Sequence, residues 1–98
     1  MNRYASGANI EREIKKKLES DGFSVIRSAG SKGSIDLVAY DNKIIKFIQV
    51  KYAPDKKHMK VTKKEYAKLR KLVVPACATK EIWFRIRRVK EYVIFYVQ

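Results

Sequence analysis

Between Ile35 and Lys51 the chain reads Ile-Asp-Leu-Val-Ala-Tyr, a short polar turn at Asp41 and Asn42, then Ile-Ile-Lys-Phe-Ile-Gln-Val-Lys. Two apolar β-type runs joined by turn residues predict a hairpin, with strands at about 35–40 and 44–51. An isolated hairpin is marginal in water, so this one demands further strands and an apolar cover. It also carries polar residues that a plain sheet does not need. Asp36 heads the first strand, and Gln49 and Lys51 end the second. Side chains alternate across a strand, so Gln49 and Lys51 share a face with Ile45 and Phe47, while Ile48 and Val50 take the other. The tight turn brings Asp36 opposite residues 47–49.

The flanking sequence supplies the cover. Ile10, Ile14 and Leu18 recur at helical spacing and Gly22 stands where a left-handed residue ends a helix, which predicts a helix over about 7–21. Phe23 to Arg27 is a short β-type run, followed by a Gly- and Ser-rich loop over 28–34 that feeds into Asp36. Pro54 ends the third strand. Residues 51–64 hold six lysines and one histidine, a composition too polar to pack, and predict a mobile basic loop at about 52–62. Thr62 with Glu65 three positions on is a capping-box signature, and Tyr66, Leu69 and Val73 then mark one face of a second helix that Pro75 stops. Ile82, Phe84 and Ile86 alternate with Trp83, Arg85 and Arg87 in a fourth strand, and residues 91–97 form a fifth. The order is α-β-β-β-α-β-β, an α/β domain with a mixed sheet flanked by helices. At 98 residues the chain allows one domain, residues 1–98, whose core is small enough that burial in an oligomer would help it.

Charge narrows the partner. With 23 Lys plus Arg against 10 Asp plus Glu, a net +13 and a pI near 10.0, the expected partner is a polyanion, nucleic acid first. No apolar run approaches the roughly 20 residues of a membrane span and no signal peptide opens the chain, so no membrane role and a cytoplasmic location are expected. One cysteine and one histidine make neither an internal disulfide nor a zinc site, and Cys77 reads as a buried small residue. Three basic zones suit phosphate contact: Arg12, Lys15, Lys16 and Lys17; Lys56, Lys57, Lys60, Lys63 and Lys64; and Arg85, Arg87 and Arg88. His58 reads as another loop contact, left unanchored among cations. Tyr66 reads as core and Tyr52 as a candidate for DNA. No zinc finger, helix-turn-helix order or RNA-recognition aromatic cluster is present, which favours structure over base sequence as the thing recognised.

A carboxylate inside a basic, apolar sheet needs a reason, and a divalent metal beside a phosphodiester supplies one. Mg²⁺ takes hard oxygen ligands, so Asp36, the Gln49 amide oxygen and the Val50 main-chain carbonyl suit it. Lys51, further along the same face, can stabilise developing charge or orient an attacking water. Glu11, near the start of the first helix, is the candidate second carboxylate. No small-molecule cofactor is implied.

Several segments agree with one family. Gly7-Ala-Asn-Ile-Glu-Arg-Glu, Gly22-Phe-Ser-Val-Ile-Arg-Ser-Ala-Gly-Ser-Lys, Ile35-Asp-Leu-Val-Ala and Ile48-Gln-Val-Lys51 resemble the archaeal Holliday junction resolvases of the PD-(D/E)XK nuclease superfamily. The resemblance covers residues 7–51 and continues more weakly through the basic loop and second helix. It implies a restriction-endonuclease-like fold and a nuclease in which Glu11, Asp36 and Gln49 shape the metal site and Lys51 is the catalytic lysine. Ser31 would act near the scissile phosphate, with Lys32 beside it and Arg27 in phosphate contact. It further implies a homodimer that nicks opposed strands of a four-way junction using Mg²⁺ or Mn²⁺, on chromosomal or viral DNA. Val73, Val74, Trp83, Phe95 and Tyr96 are the apolar residues available for the interface. The chain departs from the family pattern at Gln49, where such resolvases usually carry Glu. The alternatives are another repair or restriction-type nuclease of the superfamily, or a junction-binding protein with weak or no catalysis.

Overall fold

Ile10, Ile14 and Leu18 form one stripe of helix α1, Gly7–Ser20, and all three are buried. The computed structural model describes residues 7–28 and 34–98. Helix α1 ends in a Schellman motif: Gly22 N–H donates to the Glu19 carbonyl and Phe23 N–H to the Leu18 carbonyl, each at 3.0 Å. The motif needs a positive φ, and Gly22 supplies it at 98°. The chain then enters β1 (Ser24–Arg27), β2 (Leu37–Tyr40) and β3 (Ile45–Ala53), an antiparallel meander. The turn between β2 and β3 is held by the Asp41 carboxylate, which accepts the Lys43 and Ile44 N–H groups at 2.8 and 2.9 Å. Those two bonds lower the Asp41 pKa.

Helix α2 (Lys63–Lys71) carries the chain back so that β4 (Ala78–Ile86) runs parallel to β3, and β5 (Val93–Val97) returns antiparallel. The sheet order is β1-β2-β3-β4-β5. Each face has its own core. Ile10, Ile14 and Leu18 of α1 meet Leu37, Ala39, Ile48 and Trp83 on one side; Leu69 of α2 meets Ala53, Ile82, Phe84, Ile86 and Val97 on the other. The interior strand β4 is thus covered on both faces, as a strand within a parallel pair must be.

Two charged side chains lie inside. Glu81 is 0% exposed and its carboxylate accepts from Lys46 Nζ at 2.9 Å, Thr79 Oγ1 at 2.5 Å and Trp83 Nε1 at 2.8 Å. Lys80, 7% exposed, faces α2 and donates to the Leu69, Arg70 and Leu72 carbonyls at 2.8–3.1 Å. A helix leaves its last carbonyls without intrahelical partners, and a cation there also meets the negative end of the helix dipole.

Several expectations need correction. Cys77 is exposed, in the turn that the Ala78 N–H closes on the Pro75 carbonyl. Helix α2 stops at Lys71, four residues before Pro75, and the Val73 side chain is 92% exposed on no helix face. The β-branched Val73 and the pre-proline Val74 both favour extended backbone. Tyr66 is also exposed, with the Arg70 guanidinium 5.9 Å from its ring. Trp83 is buried against Tyr92 and so is not an interface residue. The basic segment over 52–62 is not polar throughout. It holds a 3-10 turn, Lys56–His58, capped by Asp55, and Met59 and Val61 pack on the α2-side core. His58 is anchored, with Nδ1 2.6 Å from Asp55 Oδ1, a contact that lowers the Asp55 pKa.

Lys80→Met keeps the apolar stem and removes the donor. It takes this donor from the Arg70 and Leu72 carbonyls, while the Leu69 carbonyl keeps the Leu72 N–H, and is expected to cost about 1–3 kcal/mol, read as a lower denaturant midpoint at unchanged m-value.

Candidate active site

The hairpin register carries Asp36 to the position beside Gln49, one step beyond the Leu37↔Ile48 pair. Its backbone is pinned on both sides, donating to the Ile48 carbonyl and accepting from Ser28 N–H, each at 2.9 Å. Its carboxylate is aimed as well, since Oδ2 accepts the Val50 N–H at 2.8 Å. In a strand the N–H and C=O of one residue point the same way, so the Val50 carbonyl also faces the side where Asp36 lies. Gln49 and Lys51 pair across the parallel ladder with Ile82 and Phe84, both in the α2-side core. Their side chains therefore share that face, as the alternation predicts.

Glu11 joins from α1. Its Oε1 accepts from Arg27 Nε at 3.2 Å, in a pair where both side chains are largely covered. Burial pushes the Asp36 carboxyl above its ordinary pKa; the neighbouring Glu11 charge adds to this, against the opposing Val50 hydrogen bond and Lys51 charge. Two carboxylates that repel one another in a partly desolvated place are a cation site in electrostatic terms.

Gln49 brings a further oxygen. Its Oε1 is buried with no hydrogen-bond partner among the described residues, whereas buried polar atoms are nearly always bonded. Among those residues no three His, Cys, Asp or Glu side chains converge on one point, so a cation held here would draw on the two carboxylates, with the amide oxygen and the carbonyl beside them. These are hard oxygen donors, and they fit Mg²⁺ or Mn²⁺ better than a thiophilic metal.

Lys51 has a partner that sequence reading missed. Its Nζ donates to Glu65 Oε2 at 2.7 Å, and this bond is the main reason the Glu65 pKa lies below its usual value. The Thr62–Glu65 signature reads only as a helix start in sequence. The available clue was that Lys51 faces the side α2 must cover. Arg27, expected on phosphate, pairs with Glu11. The expected phosphate contacts Arg12, Lys56, Lys57, Lys60 and Lys63 are exposed; Lys15 pairs with Glu19 at 2.8 Å and Arg12 bonds Asn9 at 2.7 Å. Ser31 and Lys32 lie outside the described residues.

The sequence profile of the archaeal Holliday junction resolvase (Hjc) family matches residues 2–98. The chain belongs to that family. Over 37 residues it is 60% identical to the crossover junction endodeoxyribonuclease Hjc of Methanocaldococcus jannaschii, a match that covers 38% of this chain and 27% of that protein. The chain thus aligns with about a quarter of that relative's length. Its fold is similar to that of Archaeoglobus fulgidus Hjc, a Holliday junction resolvase from an archaeal hyperthermophile, with a TM-score of 0.78 and 25% identity over 94% of this chain and 78% of the other. No helix among the described residues is long and apolar enough to cross a membrane.

The raised Asp36 pKa has a stability consequence of defined sign. Ionising a carboxyl whose folded pKa is raised costs folding free energy above that pKa, and the cost vanishes as pH falls below the unfolded value. Asp36→Asn keeps an acceptor for Val50 N–H and removes the charge. In EDTA at pH 7 it is expected to melt above wild type, with the gap closing toward acid. Millimolar Mg²⁺ should raise the wild-type Tm more than that of the variant. A variant less stable than wild type in EDTA would contradict the burial cost.

Proposed function

We propose that the chain is a structure-selective DNA endonuclease that resolves four-way junctions by metal-dependent phosphodiester hydrolysis, with paired nicks from a homodimer. The observation that carries this reading is the buried Gln49 oxygen, without a hydrogen-bond partner among the described residues, beside Asp36 on the face that also bears Lys51. Family membership and a net charge of +13 favour branched DNA as the substrate. Glu11, Asp36, Gln49 and the Val50 carbonyl would hold Mg²⁺, with Mn²⁺ able to substitute. The bound ion would supply Lewis-acid polarisation of the phosphate and a more acidic water.

The chain's own groups do the rest. Asp36 is aimed by the Val50 N–H, which leaves its second oxygen available. Lys51 presents an ammonium with three protons, one engaged by Glu65 and the others available to a non-bridging phosphate oxygen and to the attacking water. Arg27, held by Glu11, sets a guanidinium at the rim for the adjoining phosphate. Ser31 acts near the scissile bond, with Lys32 next to it. Arg12 and Lys15 on α1, and Lys56, Lys57, Lys60 and Lys63 beyond the end of β3, bind flanking backbone without reading bases.

Two-fold junctions call for two equivalent cuts, and a C2 dimer provides them. Val73, Phe95 and Tyr96 are exposed apolar side chains suited to such an interface, with Leu72 beside them. The enzyme would act in the cytoplasm on chromosomal or viral DNA. Gln49 contributes no charge, so metal affinity is expected to be weaker than with a third carboxylate, and Gln49→Glu should increase cleavage at limiting Mg²⁺.

A cleavage assay with a four-way junction beside linear duplex, flap and single strand, in Mg²⁺ and in Mn²⁺, tests the reading. Junction cutting in preference to the others is expected, and Lys51→Met should slow it about 10²-fold or more while leaving junction binding nearly intact. Tight binding without cutting in either metal would leave a junction-binding protein. Preferential cutting of linear or flap DNA would point to another nuclease of the superfamily.

A further inference from the structure

Residues 56–80 carry eight Lys and one Arg but a single acidic residue, Glu65. In a surface meant for phosphates a lone carboxylate works against binding, and this one does not face solvent freely. Its two oxygens are divided between two tasks. Oε1 accepts the Thr62 N–H at 3.0 Å, completing a capping box in which Thr62 Oγ1 accepts the Glu65 N–H at 3.1 Å. Oε2 accepts from Lys51 Nζ at 2.7 Å.

The cap therefore fixes the carboxylate before Lys51 arrives. Behind it α2 is fastened to the sheet by Leu69, fully buried, and by Lys80 on its last carbonyls. Lysine has four rotatable side-chain bonds and loses substantial entropy when held. A rigid acceptor provides the hold, and lysine's three donors leave two unspent. Lys51 leaves β3 on the same face as Gln49 and its ammonium also acts electrostatically on Asp36, so one cation serves both the α2 carboxylate and the proposed metal site.

From this geometry we infer that Glu65 is a positioning residue: it holds the Lys51 ammonium toward the Asp36–Gln49 face, so that helix α2 sets the aim of the catalytic lysine. The inference rests on the reading of Lys51 as part of the cleaving centre. Glu65 touches no reacting atom in this role, and its effect passes through Lys51.

The capping box accepts Gln as well as Glu at this position, which separates the two tasks. Glu65→Gln keeps the cap and weakens the hold. In single-turnover cleavage of a four-way junction with Mg²⁺, the full chain carrying Glu65→Gln is expected to cut at least about tenfold more slowly at saturating junction. Its junction Kd should be unchanged or tighter and its Tm within a degree or so of wild type. Thr62→Ala should do the reverse, lowering Tm with a smaller loss of rate. A wild-type rate in Glu65→Gln would reduce Glu65 to a cap, and a faster rate would make it a restraint on Lys51; either overturns the inference. Lysine Nζ NMR on the free protein decides it without cleavage. A protected Lys51 ammonium resonance in wild type, lost in Glu65→Gln, is expected, and its absence from wild type overturns the inference. If wild type binds junctions and never cuts them, the nuclease reading fails while this resonance still reports whether Glu65 holds Lys51.

Discussion

A parallel strand pair cannot be closed by a tight turn, and the β3–β4 pair obliges the chain to cross over through α2. That requirement organises the rest of the molecule. Nine residues of β3 lie beside nine of β4, so both strands are interior and both faces of the sheet need a helix. Period-two alternation then divides the side chains. Ile48 and Val50 go beneath α1, and Gln49 and Lys51 go to the side where α2 lies. The polar residues of β3 are confined near the crossover helix, with a helix-borne carboxylate within reach.

The site is built on backbone rather than on mobile loops where it is described. Asp36 is fixed by three hydrogen bonds, two of them through its own main chain. Burial and Glu11 make its negative charge costly, and the Gln49 oxygen lacks a partner among the described residues. These features cost stability in isolation and match the needs of a cation. Local conflict with folding preference is common where a protein has chemistry to perform.

Elements set by local pattern were legible in the sequence. The Ile10-Ile14-Leu18 stripe, the Gly22 helix stop, the hairpin turn at Asp41 and the Thr62 cap each involve residues a few positions apart, and each stands where expected. Gln49 and Lys51 share a face by strand alternation, and the hairpin register sets Asp36 beside Gln49. What stayed hidden depends on distant pairing. Glu65 meets Lys51 only through the crossover, Glu81 meets Lys46 only through the parallel register, and Trp83 is covered only because β4 is interior. Cys77, Tyr66 and Val73 misled for the opposite reason: their apolar character suggested burial, yet all three stand exposed among the described residues.

The Lys46–Glu81 pair gives the sheet a means of measuring its own alignment. A slip of β4 by two residues along β3 would return every side chain to its own face, so hydrophobicity alone is a poor guard against it. In the direction that sets Glu81 beside Val50, such a slip would take the fully buried Glu81 carboxylate away from Lys46, and a buried charge without its counter-ion is costly enough to oppose it. Because Lys80 ties α2 to β4, the same slip would carry Glu65 out of reach of Lys51. A salt bridge beneath α1, on the opposite face of the sheet, thereby guards the alignment on which the lysine's setting depends.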